Sequence, residues 1–195
     1  MTREMLCRLH LRCDIYRKAG GFTLLEMLIT ITLMVIIIAV ATPSFSSYID
    51  SNKVKQLATE MEWVLVLAKS EAVMRNTKLK VHFVRDDTNE TVYQTDGAWV
   101  LAVTDEAAIV NSIASAKSAA IALVDGKDFK YVAIKSSSTF VEQTIDPVRA
   151  TTNKLGNFSF YKESGKDLKV IMSQRTGRIR TCGISGDYYN YERCS

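Results

Sequence analysis

The segment from Gly20 to Pro43 constrains this chain most. Between Phe22 and Thr42 it is apolar apart from threonines and one charge, Glu26. At about 1.5 Å of rise per residue the run makes a helix of about 31 Å, the thickness of a bilayer's hydrocarbon core. Length and polarity both predict a membrane-spanning helix. A carboxylate in hydrocarbon costs roughly 3 kcal/mol or more unless it is paired, so Glu26 needs a role of its own. Upstream, Arg3, Arg8, Arg12, Arg17 and Lys18, against Glu4 and Asp14, lead into Ala19-Gly20-Gly21. In a secretory signal the apolar segment precedes the cut and is lost with it; here a cut at the small residues would retain it.

The run Gly21, Phe22, Thr23, Leu24, Leu25, Glu26 resembles the processing site of type IV prepilins and of the pseudopilins of type II secretion. The resemblance implies a prepilin peptidase that cuts after Gly21 and N-methylates Phe22, leaving Glu26 fifth in the mature chain. It also implies a helix kinked at Pro43. A translation start at Met5 would leave the cut where it is. Three parts follow: a cleaved leader (1–21), a transmembrane and filament-core helix (22–42), and an amphipathic helix with a globular β domain (43–195).

Beyond Pro43, apolar residues recur by threes and fours at Val54, Leu57, Met61, Val64, Leu65, Ala68 and Ala72. Lys53, Lys55, Glu60, Glu62, Lys69, Glu71 and Arg75 fall on the other side. The helix is expected to run to about Asn76, roughly 80 Å if straight, a length suited to a filament. From Leu79 the period becomes two, with strands predicted at 79–84, 91–94, 99–104, 129–134, 139–143, 158–161 and 168–173. Turns are predicted at Asp96-Gly97, Asp125-Gly126, 153–157 and Ser164-Gly165. Residues 105–124 read as loop with a short helix. A long helix followed by strands gives an α+β, pilin-like fold, the helix packed on antiparallel sheet.

The net charge is +4, from 25 basic and 21 acidic residues; without the leader's five and two, 20 and 19 remain. Bulk charge thus points to no polyanionic partner, and only a local cluster could. Cys7 and Cys13 leave with the leader, and Cys182 and Cys194, facing an oxidising compartment, are expected to pair. With His82 as the one remaining histidine, neither a metal site nor a cofactor site is expected. No nucleophile motif or phosphate-cradling glycine loop occurs, so the chain reads as a non-enzyme.

Two sites carry functional expectations. Glu26 either reaches water at the membrane interface or, as the pilin resemblance implies, meets the α-amino group of Phe22 on a neighbouring subunit and fixes assembly register. The second site is Arg175-Thr176-Gly177-Arg178-Ile179-Arg180, with Lys169 as a further candidate. In an extended segment Arg178 and Arg180 share one side, a pair of guanidinium forks suited to phosphate. Tyr188, Tyr189 and Tyr191 could add stacking surface. The plain alternative is a solvated strand end with its tyrosines packed on the sheet.

The long helix, the Asp96-Gly97-Ala98-Trp99 turn, the late strands and the terminal Gly-Arg-x-Arg together resemble the FimT/GspH branch of minor pilins and pseudopilins. In FimT-like minor pilins that motif is associated with DNA binding in natural transformation; the matching positions are Gly177, Arg178 and Arg180. The resemblance implies other pilins, the prepilin peptidase, the inner membrane and DNA as partners. It also implies a periplasmic C-terminal domain that later joins a surface filament. A GspH-like pseudopilin of type II secretion is the alternative.

Overall fold

The computed structural model describes residues 21–86, 92–137 and 142–195, the side chains of 40–44 excepted. Leader residues 1–20, the Pro43 ring and the strand starts expected at 91 and 139 therefore lie outside the described residues. The chain forms two compact units, which meet between Ser44 and Phe45.

Helix α1 (Leu24–Arg75) contributes to both units. In the first, Thr23 caps it: the Thr23 hydroxyl accepts a hydrogen bond from the Glu26 amide at 3.1 Å. Thr23-Leu24-Leu25-Glu26 is thus a capping sequence, with an acid three residues after a threonine in the first, electropositive turn. Every described side chain from Gly21 to Ala39 is exposed, Leu24 at 84% and Met34 at 67% among them. Among the described residues no helix is long and apolar enough to cross a membrane.

In the second unit, Val54, Leu57, Ala58, Met61, Val64, Leu65, Ala68 and Ala72 are all buried, so the predicted face is the packed one. They meet two four-stranded sheets of antiparallel pairs rather than one. The first is ordered β3-β2-β1-β5 and the second β4-β6-β7-β8. The strands are β1 (Leu79–Arg85), β2 (Trp99–Asp105), β3 (Ala122–Asp125), β4 (Ala133–Ser136), β5 (Glu142–Ile145), β6 (Gly156–Tyr161), β7 (Leu168–Met172) and β8 (Ile179–Gly183). One core cluster joins α1 to residues of both sheets, including Leu79, Val81, Leu101, Phe158, Phe160, Val170 and Met172. Among the described residues all the buried apolar side chains lie within Phe45–Ser195, so this unit carries a core of its own.

Strand β2 is apolar on both faces, and α2 (Ile113–Ala119) explains why: Ala116 packs with Val100 and Ala102 on the side away from the main core. Ser112 and Ser115 cap this helix reciprocally. Three expected strands differ. Gln94 makes only an isolated bridge, to Ile134. Residues 126–129 form a 3-10 turn, and Tyr131, at φ 71°, interrupts extension, so β4 starts at Ala133 rather than Phe129. β5 runs on to Ile145 rather than ending at Gln143. The two Asp-Gly turns do not close tight hairpins; they pack on each other. A Cβ on Gly97, at φ +75°, would fall 2.6 Å from the Gly126 carbonyl oxygen.

Candidate nucleic-acid interface

The predicted arginines straddle a turn between β7 and β8. Ser173 donates its amide to the Arg178 carbonyl, and Gly177 donates its own to the Ser173 carbonyl, both at 2.9 Å. Gly177 is required twice over: its φ is +60°, and a Cβ there would fall 2.1 Å from the Ala150 carbonyl oxygen. Its own carbonyl accepts from Lys69 Nζ of α1 at 2.8 Å. The turn is thereby fixed to the helix on one side and to the β5–β6 loop on the other. Arg175 and Arg178 project from it, both exposed. Arg178 precedes β8, so the strand alternation expected for 178–180 begins only at Ile179, which pairs with Met172 and packs against the core, while Arg180 pairs with Ile171 on the opposite face.

Arg180 and Lys169 share that outer face, since Lys169 stands opposite Cys182 in the same ladder. Arg180 is not free, however. Its Nη1 donates to Ser195 Oγ at 3.1 Å and its Nη2 reaches the Arg193 carbonyl at 3.5 Å. The tail that it holds is clipped by the expected Cys182–Cys194 disulfide, with Cα atoms 5.0 Å apart. Tyr188, Tyr189 and Tyr191 pack partly buried against the main core, which removes much of the stacking surface they were expected to offer. The structure thus brings Arg175 and Arg178 to one exposed turn and sets Arg180 and Lys169 on an adjoining face.

A residue not singled out from the sequence stands beside them. Arg149 lies in the β5–β6 loop and, with Thr151, Thr152, Gln174 and Arg175, lines an open, predominantly polar groove of about 510 Å³. Asp146-Pro147 was a legible turn signal. That this turn would sit against residues 174–177 was not, because contact between distant loops leaves no local periodicity.

His82 is buried in β1, with its Nε2 3.1 Å from Thr104 Oγ1 and its Nδ1 3.7 Å from Glu142. Burial lowers its pKa against the opposing pull of Glu142, so it behaves as a sheet residue. Among the described residues no group of His, Cys, Asp and Glu could hold a metal ion.

At the other end of the chain, Gly21 and Phe22 are exposed and Glu26 occupies the first turn of α1. Residues 16–42 match the prokaryotic N-terminal methylation motif. The chain carries an N-terminal methylation motif. Two crystal structures of the type IV minor pilin FimU from Pseudomonas aeruginosa also match. They are 17% and 18% identical, cover 65% and 68% of this chain and 90% of their own, and have TM-scores of 0.46 and 0.48. No curated protein sequence matches. Gly21, Phe22 and Glu26 fall inside the matched segment, whereas Arg149, Arg175, Arg178 and Arg180 lie outside it.

Proposed function

We propose that this protein is a minor type IV pilin of FimT type, a structural and binding protein rather than an enzyme. In this reading, prepilin peptidase cuts after Gly21 and methylates Phe22, the apolar segment holds the chain in the inner membrane and then in the filament, and the C-terminal domain contacts extracellular DNA for uptake. The observation that carries the DNA reading is the hydrogen-bonded β7–β8 turn, which presents to solvent Arg178 of the Gly-Arg-x-Arg sequence and Arg175 just before it. Guanidinium forks on a fixed turn suit backbone phosphates, and a surface that captures environmental DNA gains nothing from reading base edges. Binding is therefore sequence-blind, salt-sensitive and roughly micromolar or weaker.

The test uses the Phe45–Ser195 unit, which carries its own core. Arg178→Gln is expected to lower the slope of log affinity against log salt by about one, irrespective of DNA sequence. Lys55→Gln is the control, because Lys55 lies 14 residues along α1 from Lys69, about 21 Å from the turn. An equal loss in both variants, or no DNA binding at low salt, would reject the reading. A GspH-like minor pseudopilin, acting at the tip of a secretion filament, would then be preferred. One observation already favours that alternative: Arg180 is engaged by the tail, which leaves the motif with a single unengaged arginine.

A further inference from the structure

We infer that the groove between the β5–β6 loop and the β7–β8 turn is a phosphodiester-binding site, with Arg149 and Arg175 as its two cationic contacts. The inference rests on the DNA reading and extends it to a loop that the Gly-Arg-x-Arg motif does not include.

Three features of the groove carry it. First, its lining is two arginines, two threonines and a glutamine, with no aromatic or carboxylate side chain, so it suits the charged backbone of a nucleic acid and offers nothing for stacking a base. The acid nearest in sequence, Asp146, is turned to its own loop: its Oδ1 accepts from the backbone amides of Val148 at 2.8 Å and Arg149 at 3.1 Å. Second, the walls are tied by hydrogen bonds. The Asp146 amide donates to the Thr151 carbonyl and the Ala150 amide to the Asp146 carbonyl, both at 2.9 Å. Gln174 Nε2 ties one wall to the other through the Asn153 carbonyl at 2.8 Å, and the glycine contact at Ala150 adds a second tie. Third, the groove is open and about 510 Å³ in volume, so a continuous strand could pass through it. The Arg149 backbone builds the loop and its side chain is exposed, so changing the side chain leaves the loop's hydrogen bonds in place.

The experiment measures double-stranded DNA binding by the full chain in detergent micelles between 50 and 200 mM salt, for wild type, Arg149→Gln, Arg149→Lys and Arg178→Gln. Thermal unfolding of each variant verifies the fold. Losing one phosphate contact should make the wild-type to Arg149→Gln affinity ratio shrink by about 3.5-fold across that fourfold rise in salt. Arg149→Lys should restore part of the affinity, because it keeps the charge and loses the fork. Inorganic phosphate at the same ionic strength should compete only weakly; full competition at micromolar concentration would mean a free-phosphate site and overturn the assignment to a backbone. If Arg178→Gln weakens binding and Arg149→Gln does not, this inference fails and the DNA reading stands. If Arg149→Gln alone weakens it, the groove stands and the motif's role fails. If neither does, both fail.

Discussion

At the scale of single residues, Gly177 does more for the candidate site than either arginine that follows it. The Gly-Arg-x-Arg motif was legible in the sequence, but the glycine there reads only as flexibility. In the fold it is the reverse, a residue held at φ +60° against the Ala150 carbonyl and ligated by Lys69. Gly177→Ala should therefore cost more than the roughly 1–2 kcal/mol that a left-handed conformation costs an L-residue, because the β5–β6 loop must also move. Gly165→Ala isolates the backbone part, since Gly165 has φ +86° and nothing within 4 Å of its would-be Cβ. Urea unfolding of both variants, with slopes compared, gives the difference. Equal midpoints would mean that the close approach of the two loops is not what demands glycine at 177. The same contact explains why Arg149 was illegible: its neighbour Ala150 meets Gly177 across 27 positions of sequence, and no spacing rule spans that.

At the scale of elements, the clearest sequence signals were periodic ones. The three-and-four spacing from Val54 to Ala72 named seven of the helix residues that are buried, because a helix packed on one side must place its apolar residues there. Strands β1, β6 and β7 were legible for the corresponding reason, and β2 from an apolar run of strand length. Short elements were less so: the short helix read within 105–124 is α2, but its bounds and its place over the outer face of β2 were not legible, and only β2's unbroken apolar run hinted that a cover was needed. Strand β8 and the tail form a further element pair, joined by the Cys182–Cys194 bond and by Arg180. Cys194→Ser should release the tail and cost about 2 kcal/mol, towards the low end expected for a loop of about 11 residues, because Tyr188, Tyr189 and Tyr191 still anchor it to the core. Unfolding of the wild type with and without reductant should match that loss, and non-reducing peptide mapping of exported protein locates the bond. Two free thiols in that material would reject the pairing.

At the scale of the whole molecule, the two units obtain their burial differently. Phe45–Ser195 contains its own core, whereas every described side chain from 21 to 39 is exposed, in a helix that is apolar on all sides. In the proposed life cycle such a helix is covered by lipid first and by neighbouring subunits later. Glu26 is the exception within it, and the structure supplies a local explanation that the sequence reading passed over. Thr23 caps α1 and Glu26 sits three residues later, where an acid favours the helix start whatever the assembly does. Two substitutions separate the roles. Glu26→Gln keeps a residue suited to the capping position and removes the charge, whereas Glu26→Val removes both. Each should insert into the membrane at least as well as wild type, since a costly carboxylate is gone. Incorporation is read from sheared filaments, with mass spectrometry for an N-methylated Phe22 terminus confirming that cleavage after Gly21 still occurs. If the carboxylate pairs with a neighbour's terminal amine, both variants should be processed normally and both should be depleted from filaments. Depletion of Glu26→Val alone would assign Glu26 to the helix cap, and normal incorporation of both would remove it from assembly altogether.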